Sequence, residues 1–133
     1  MCGIAGIINF NGNSPSIKKI ESMMDSMRYR GPDDEGVFID KNIGLGFVRL
    51  SIIDLSSSGH QPMYSYDNKY VVVYNGEIFN YIELREELKN LGYTFKTQTD
   101  TEVLLNSYIE WGEKCLDRFN GMWAFAIYNC ENE

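Results

Sequence analysis

A chain of 133 residues is long enough to bury one core and matches a single domain. Its 44% apolar and 23% charged residues are globular values, and a net charge of −7 disfavours nucleic acid or an anionic membrane as partner, since both demand a basic face. No apolar run could span a bilayer, and no secretory signal opens the chain. The three cysteines, Cys2, Cys115 and Cys130, are odd in number and read as free thiols of a reducing cytoplasm. With no C-x-x-C pair and His60 as the only histidine, a zinc site is not expected.

In chain order, "GIAGIINF" reads as a buried strand bounded by "NGNS". "SPSIKKIESMMDSMRYRG" has the pattern of a helix: Ser14 as N-cap, Pro15 at the first helical position, and Ile17, Ile20, Met24 and Met27 at steps of three and four. "RGPDDEG" is a turn, and "EGVFID" and "IGLGFVRLSII" are strands around a short connection. Gly44-x-Gly46 lacks the third glycine and the following helix of a dinucleotide site. "SSSGHQPM" is a loop, and "KYVVVYNGEIFNY" is a β-branched strand running into Asn75-Gly76. "NYIELREELKNLGY" is a helix in which Asn80 caps, Glu83 closes the capping box, Phe79 and Leu84 form a staple, and Gly92 is the stop. "YTFKTQT" is expected to be a short strand, and "TDTEVLLNSYIEWG" a helix from Thr99 and Glu102 to Gly112. "EKCLDRF" is a short helix, and "GMWAFAIYNC" a last strand with large apolar residues on both faces. Helices and strands do not alternate strictly, which predicts an α+β layered fold. An apolar strand directly before the chain end also predicts a domain cut at a turn, without the partner strand of its last hairpin.

One histidine leaves little material for a cysteine–histidine enzyme. Cys2 offers another route. Once Met1 is removed, the residue carries a thiol and a free α-amine of similar pKa, about 8.5 and about 7.7–8.0, so the neutral amine can take the thiol proton. Such a nucleophile needs an oxyanion site. Asn75 and Gly76 supply an amide side chain and an unobstructed backbone N–H, yet Asn-Gly is equally a favoured hairpin turn. Arg49 is either a bidentate clamp for a carboxylate or a surface ion pair. Asp100 is either a ligand or a residue favouring a helix N-terminus, and Glu77 either a ligand or a solvated hairpin residue. Together the set suits a substrate bearing a carboxylate, an ammonium and a carbonyl.

"CGIAG", "RGPDDEG", "RLSIIDLSSSGHQPM", "YNGEIFNYIELREEL", "TQTDTEVLLNSYIEWG" and "LDRFNGMWAFAIYN" in this order resemble the N-terminal glutaminase domains of glutamine-dependent asparagine synthetases. These belong to the class II, or N-terminal nucleophile (Ntn) hydrolase, glutamine amidotransferases. The resemblance covers nearly the whole chain. It implies residues 1–133 as a type II glutamine amidotransferase domain, incomplete at its C-terminus, with the αββα sandwich of two antiparallel sheets. It implies Cys2 as nucleophile, Asn75 and Gly76 as oxyanion hole, and L-glutamine as substrate. Arg49 would hold the glutamine carboxylate, and Glu77 and Asp100 its ammonium. A thioester at Cys2 would release ammonia and then glutamate, and the ammonia would serve ATP-dependent asparagine synthesis from aspartate. No cofactor is implied in this chain. ATP and magnesium belong to a synthetase domain that is absent from it. Two other readings stay open: a related amidotransferase with another acceptor such as a sugar acid, and a non-catalytic fragment of the fold. The resemblance further implies a cytoplasmic protein with neither nucleic acid nor membrane as partner, and self-association through the sheet edge left bare by the missing strands.

Overall fold

The computed structural model describes residues 1–132. Among these residues, six strands form two antiparallel three-stranded sheets. The first sheet holds β1 (Gly3–Ile8), β3 (Ile43–Arg49) and β2 (Asp34–Asp40), in that order, with β3 central. The second holds β4 (Met63–Tyr64), β5 (Tyr70–Ile78) and β6 (Gly121–Asn129), with β5 central. Helix α1 (Ile17–Met27) covers the outer face of the first sheet, while α2 (Tyr81–Asn90) and α3 (Asp100–Trp111) cover that of the second.

Strand alternation generates these layers. Residues one apart on a strand face opposite ways, so each central strand feeds two cores. On β3, Leu45 and Phe47 face the second sheet, where they meet Val71 and Val73 of β5. Val48 faces α1 and packs with Ile20 and Met24. Gly44 and Gly46 share the Val48 face and leave room for Ile20 and Met24, which gives the discarded Gly-x-Gly a packing role. On β5, Val72, Tyr74 and Ile78 turn the other way, onto Leu84 and Leu88 of α2 and Val103 and Leu104 of α3. The result is the predicted four-layer αββα arrangement.

Several local expectations need correction. Helix α1 begins at Ile17 with Ser16 at its N-cap, two residues after the expected start, and no side chain caps it. The strand expected in "IGLGFVRLSII" ends at Arg49, and Leu50 onward is loop. Met63, the last residue of the stretch read as loop, opens a short strand with Tyr64. Residues 93–99 form no strand. Asn80 does stand at the N-cap of α2, but its side chain bonds Asn120 N–H and Arg118 O instead of closing a box with Glu83, and Phe79 is exposed rather than stapled. Thr99 does cap α3, accepting from Glu102 N–H at 3.3 Å. Gly92 and Gly112 follow α2 and α3 with positive φ, as helix stops do. The short helix expected at "EKCLDRF" is a 3-10 segment, Gly112–Arg118.

Candidate active site

A cavity of about 130 Å³ opens between the ends of the two sheets and the start of α3. All six residues singled out in the sequence line it: Cys2, Arg49, Asn75, Gly76, Glu77 and Asp100. They come from separate places. Cys2 stands just before β1, Arg49 is the last residue of β3, Asn75 to Glu77 lie near the end of β5, and Asp100 is the first residue of α3.

Cys2 is half-buried. Leu50 N–H donates to its Sγ at 3.3 Å, and the thiol lies 3.6 Å from Leu50 O. The Nε of Arg30, in "RGPDDEG", donates to Cys2 O at 3.1 Å, which holds the main chain just after the thiol. With Met1 attached, the Cys2 nitrogen is an amide and Met1 stands exposed at the cavity wall. His60 is not the partner of this thiol. It is exposed, pairs through Nδ1 with Asp34 at 2.8 Å, and lines the neighbouring groove.

Asn75-Gly76 is not a hairpin turn. Both residues lie within β5 and pair with Ala124 and Trp123 of β6. Successive N–H groups of a strand point to opposite edges. Tyr74 N–H bonds the Gln61 side chain at 2.6 Å, and Ile78 N–H bonds Asp100 Oδ2 at 3.1 Å. Both therefore point away from β6. Gly76 N–H, midway between them, points the same way and faces the cavity. Asn75 adds an amide whose Oδ1 is buried without a hydrogen-bond partner. Gly76 is also where β6 crosses closely: a side chain there would collide with Met122 O.

Nor does Arg49 form a surface ion pair. It is 7% exposed, and its guanidinium donates to main-chain carbonyls, from Nη1 to Ser56 O at 2.7 Å and from Nη2 to Asp54 O. Gly59 lies against it, and a side chain there would overlap Nη2. The loop 50–59 thus wraps the guanidinium and leaves it further donors for a ligand. Asp54 braces that loop, accepting from Ser56 N–H and Oγ and from Gln98 N–H, and these bonds hold its carboxyl below the usual carboxylate range.

Asp100 is buried, with Oδ2 accepting from the Tyr74 hydroxyl at 2.7 Å and from Ile78 N–H. Burial raises its pKa above the ordinary value, partly offset by these donors. Burial and the neighbouring carboxylate also push the Tyr74 phenol up, so it remains a donor. Glu77 is exposed at the rim. Sequence reading missed Gln61 and Tyr74. Gln61 spans from Tyr74 N–H to the Thr101 hydroxyl, 3.2 Å away, and so ties β5 to the start of α3. A glutamine in the loop stretch "SSSGHQPM" and a tyrosine ending the apolar run "VVVY" carry no local signal of such roles. Among the described residues, no group of three or more His, Cys, Asp or Glu is placed to hold a metal ion, and no helix is long and apolar enough to cross a membrane.

Comparison with known proteins agrees with this geometry. The family model described as a glutamine amidotransferase domain matches residues 1–133. The chain is 46% identical to glutamine-hydrolysing asparagine synthetase 1 of Bacillus subtilis (strain 168), over 97% of this chain and 21% of that protein. It is 47% identical to putative glutamine-hydrolysing asparagine synthetase 2 of Methanocaldococcus jannaschii, over 97% of this chain and 28% of that protein. To asparagine synthetase B of Escherichia coli (strain K12) it is 39% identical, covering 100% of this chain and 24% of that one. The chain thus spans about a quarter of the length of these relatives. Among solved structures, glutamine phosphoribosylpyrophosphate amidotransferase from B. subtilis, complexed with ADP and GMP, superposes with a TM-score of 0.79 at 22% identity, over 96% of this chain and 35% of that one. That match shows a shared fold. On the family match over its whole length, this chain belongs to the glutamine amidotransferase domain family.

Proposed function

We propose that the chain is a glutaminase that hydrolyses L-glutamine to glutamate and ammonia through a thioester at Cys2. One observation carries the reading: residues from four separate elements, each suited to one part of glutamine, line one cavity. With Met1 removed, the Cys2 amine takes the thiol proton, and the sulfur attacks the γ-carboxamide carbon. The oxyanion develops toward Gly76 N–H and the Asn75 side-chain amide, which act as its two donors. Collapse expels ammonia, which leaves with the proton held by the amine. Water then attacks the thioester, releasing glutamate and restoring the thiol. Arg49 holds the substrate carboxylate, and Asp100 and Glu77 its ammonium.

The relatives' names, glutamine-hydrolysing asparagine synthetases, support asparagine formation as the use of the ammonia, with aspartate as the proposed acceptor. That step falls to a synthetase domain, which would also bind the ATP and magnesium. No cofactor is assigned to this chain. The acidic balance and the free cysteines support a cytoplasmic protein with neither nucleic acid nor membrane as partner.

The test is Cys2→Ala, assayed by glutamate release in protein processed to begin at Cys2. Hydrolysis is expected to vanish while glutamine binding, measured by calorimetry, persists. Turnover near that of the parent would rule out Cys2 as nucleophile. A form retaining Met1 is expected to be as inactive as Cys2→Ala, because its nitrogen is no longer a base.

A further inference from the structure

The assignments above leave one buried cation without a function. Arg85, on α2, is 6% exposed, and its hydrogen bonds go to carbonyls rather than to a carboxylate. Nη1 donates to Thr97 O at 2.7 Å and Nη2 to Thr99 O at 2.8 Å. The guanidinium lies 4.6 Å from the Phe95 ring centroid, and Nε is buried without a partner. Burying a guanidinium is costly, and this one sits at the N-terminal end of α3, where the helix dipole disfavours a cation. An apolar side chain of similar length would fill the space at lower cost. What a guanidinium alone supplies is a rigid fork that bridges two carbonyls.

The position of those carbonyls is informative. They flank Gln98, whose N–H reaches Asp54, the residue bracing the loop around Arg49. Thr99 is the cap of α3, and Asp100 follows it directly. Arg85 therefore fixes how the chain enters α3, and with it where the Asp100 carboxylate points.

We propose that Arg85 is a positioning residue for substrate selection: by clamping Thr97 O and Thr99 O it aims Asp100 at the α-ammonium, and so favours an α-amino-acid amide over the same amide lacking the amino group. The inference rests on the glutaminase reading. The probe is glutaramate, which keeps the carboxylate and the carboxamide of glutamine but has no amino group. The quantity read is the ratio of kcat/KM for glutamine to that for glutaramate, in protein processed to begin at Cys2.

Arg85→Met is expected to lower this ratio about tenfold, the scale of a sub-ångström misplacement, with glutaramate hydrolysis largely kept. Asp100→Asn is expected to lower it similarly, and the double variant no further, because the two act through one contact. Arg85→Lys, which keeps the charge without the fork, is expected to fall between the parent and Arg85→Met. It also carries the comparison if Arg85→Met does not fold. An unchanged ratio, with both substrates slowed alike, would make Arg85 a purely structural residue and overturn the proposal. If the parent hydrolyses neither amide, the glutaminase reading fails, and the proposal fails with it.

Discussion

Asp100 is held where two demands conflict. Binding an ammonium, as proposed for it, requires the ionised carboxylate, yet burial raises its pKa above 3.8 in spite of the Tyr74 hydroxyl and the N–H groups around it. The sign of the linkage follows. A carboxyl with a raised folded-state pKa contributes stability that is fully present below 3.8 and is lost as pH rises through the folded-state value. Ligand binding runs the other way and strengthens over the same window. The expected result is that glutamine binding to Cys2→Ala, followed by calorimetry, weakens on acidification with an apparent pKa above the ordinary carboxylate value. In Cys2→Ala with Asp100→Asn, binding is expected to be weak and flat across that window. An acid limb of equal size in both proteins would assign the titration to another group.

Among the elements, the segment 93–99 departs furthest from its sequence pattern. "YTFKTQT" alternates like a strand, but it has no neighbouring strand edge to pair with. Its polar main chain is satisfied by side chains instead. Glu102, half-buried on α3, accepts from Lys96 N–H at 2.8 Å, Thr97 N–H at 2.7 Å and the Thr97 hydroxyl at 2.8 Å, while Arg85 holds carbonyls from the other side. Thr99 caps Glu102 N–H, and the Glu102 carboxylate reaches back past the cap to Lys96 and Thr97. Glu102→Ala is expected to cost about 1–3 kcal/mol in urea unfolding, because it strands two amides that lose a charged acceptor. A midpoint and slope equal to the parent's would mean that the segment supports itself.

For the whole molecule, the outstanding feature is the far edge of β6. Trp123, Phe125 and Ile127 pack toward the helices, and Ala126, Tyr128 and Cys130 toward the first sheet, so both faces of its second half are covered. Met122 and Ala124 remain exposed. One edge pairs with β5, and among the described residues no strand pairs with the other. Such an edge is a template for another chain. The 133-residue chain is expected to self-associate with rising concentration in sedimentation experiments. Ala124→Lys, which puts a charge on that exposed strand position, is expected to shift it toward monomer. A monomer at all concentrations would show that the edge is inert.

The sequence by itself determined the layers and the helices of this protein, and it marked six residues that the structure brings to one cavity. Layers and helices follow from short-range rules: alternation on "GLGFV" and "YVVVY", apolar steps of three and four, caps and glycine stops. Cys2 stood out by its place after Met1, and the remaining site residues by the motifs around them. Only the tertiary structure decided whether Asn75-Gly76 is turn or strand, which way Gly76 N–H points, what holds Arg49, and that residues 93–99 are not a strand. Each of those outcomes depends on partners distant in the chain. Ile78 meets Asp100 across 22 positions, Gln98 meets Asp54 across 44, and Cys2 meets Leu50 across 48. A hydrogen bond of that span leaves no periodicity in either segment, because its geometry exists only once the two sheets and the helices have packed.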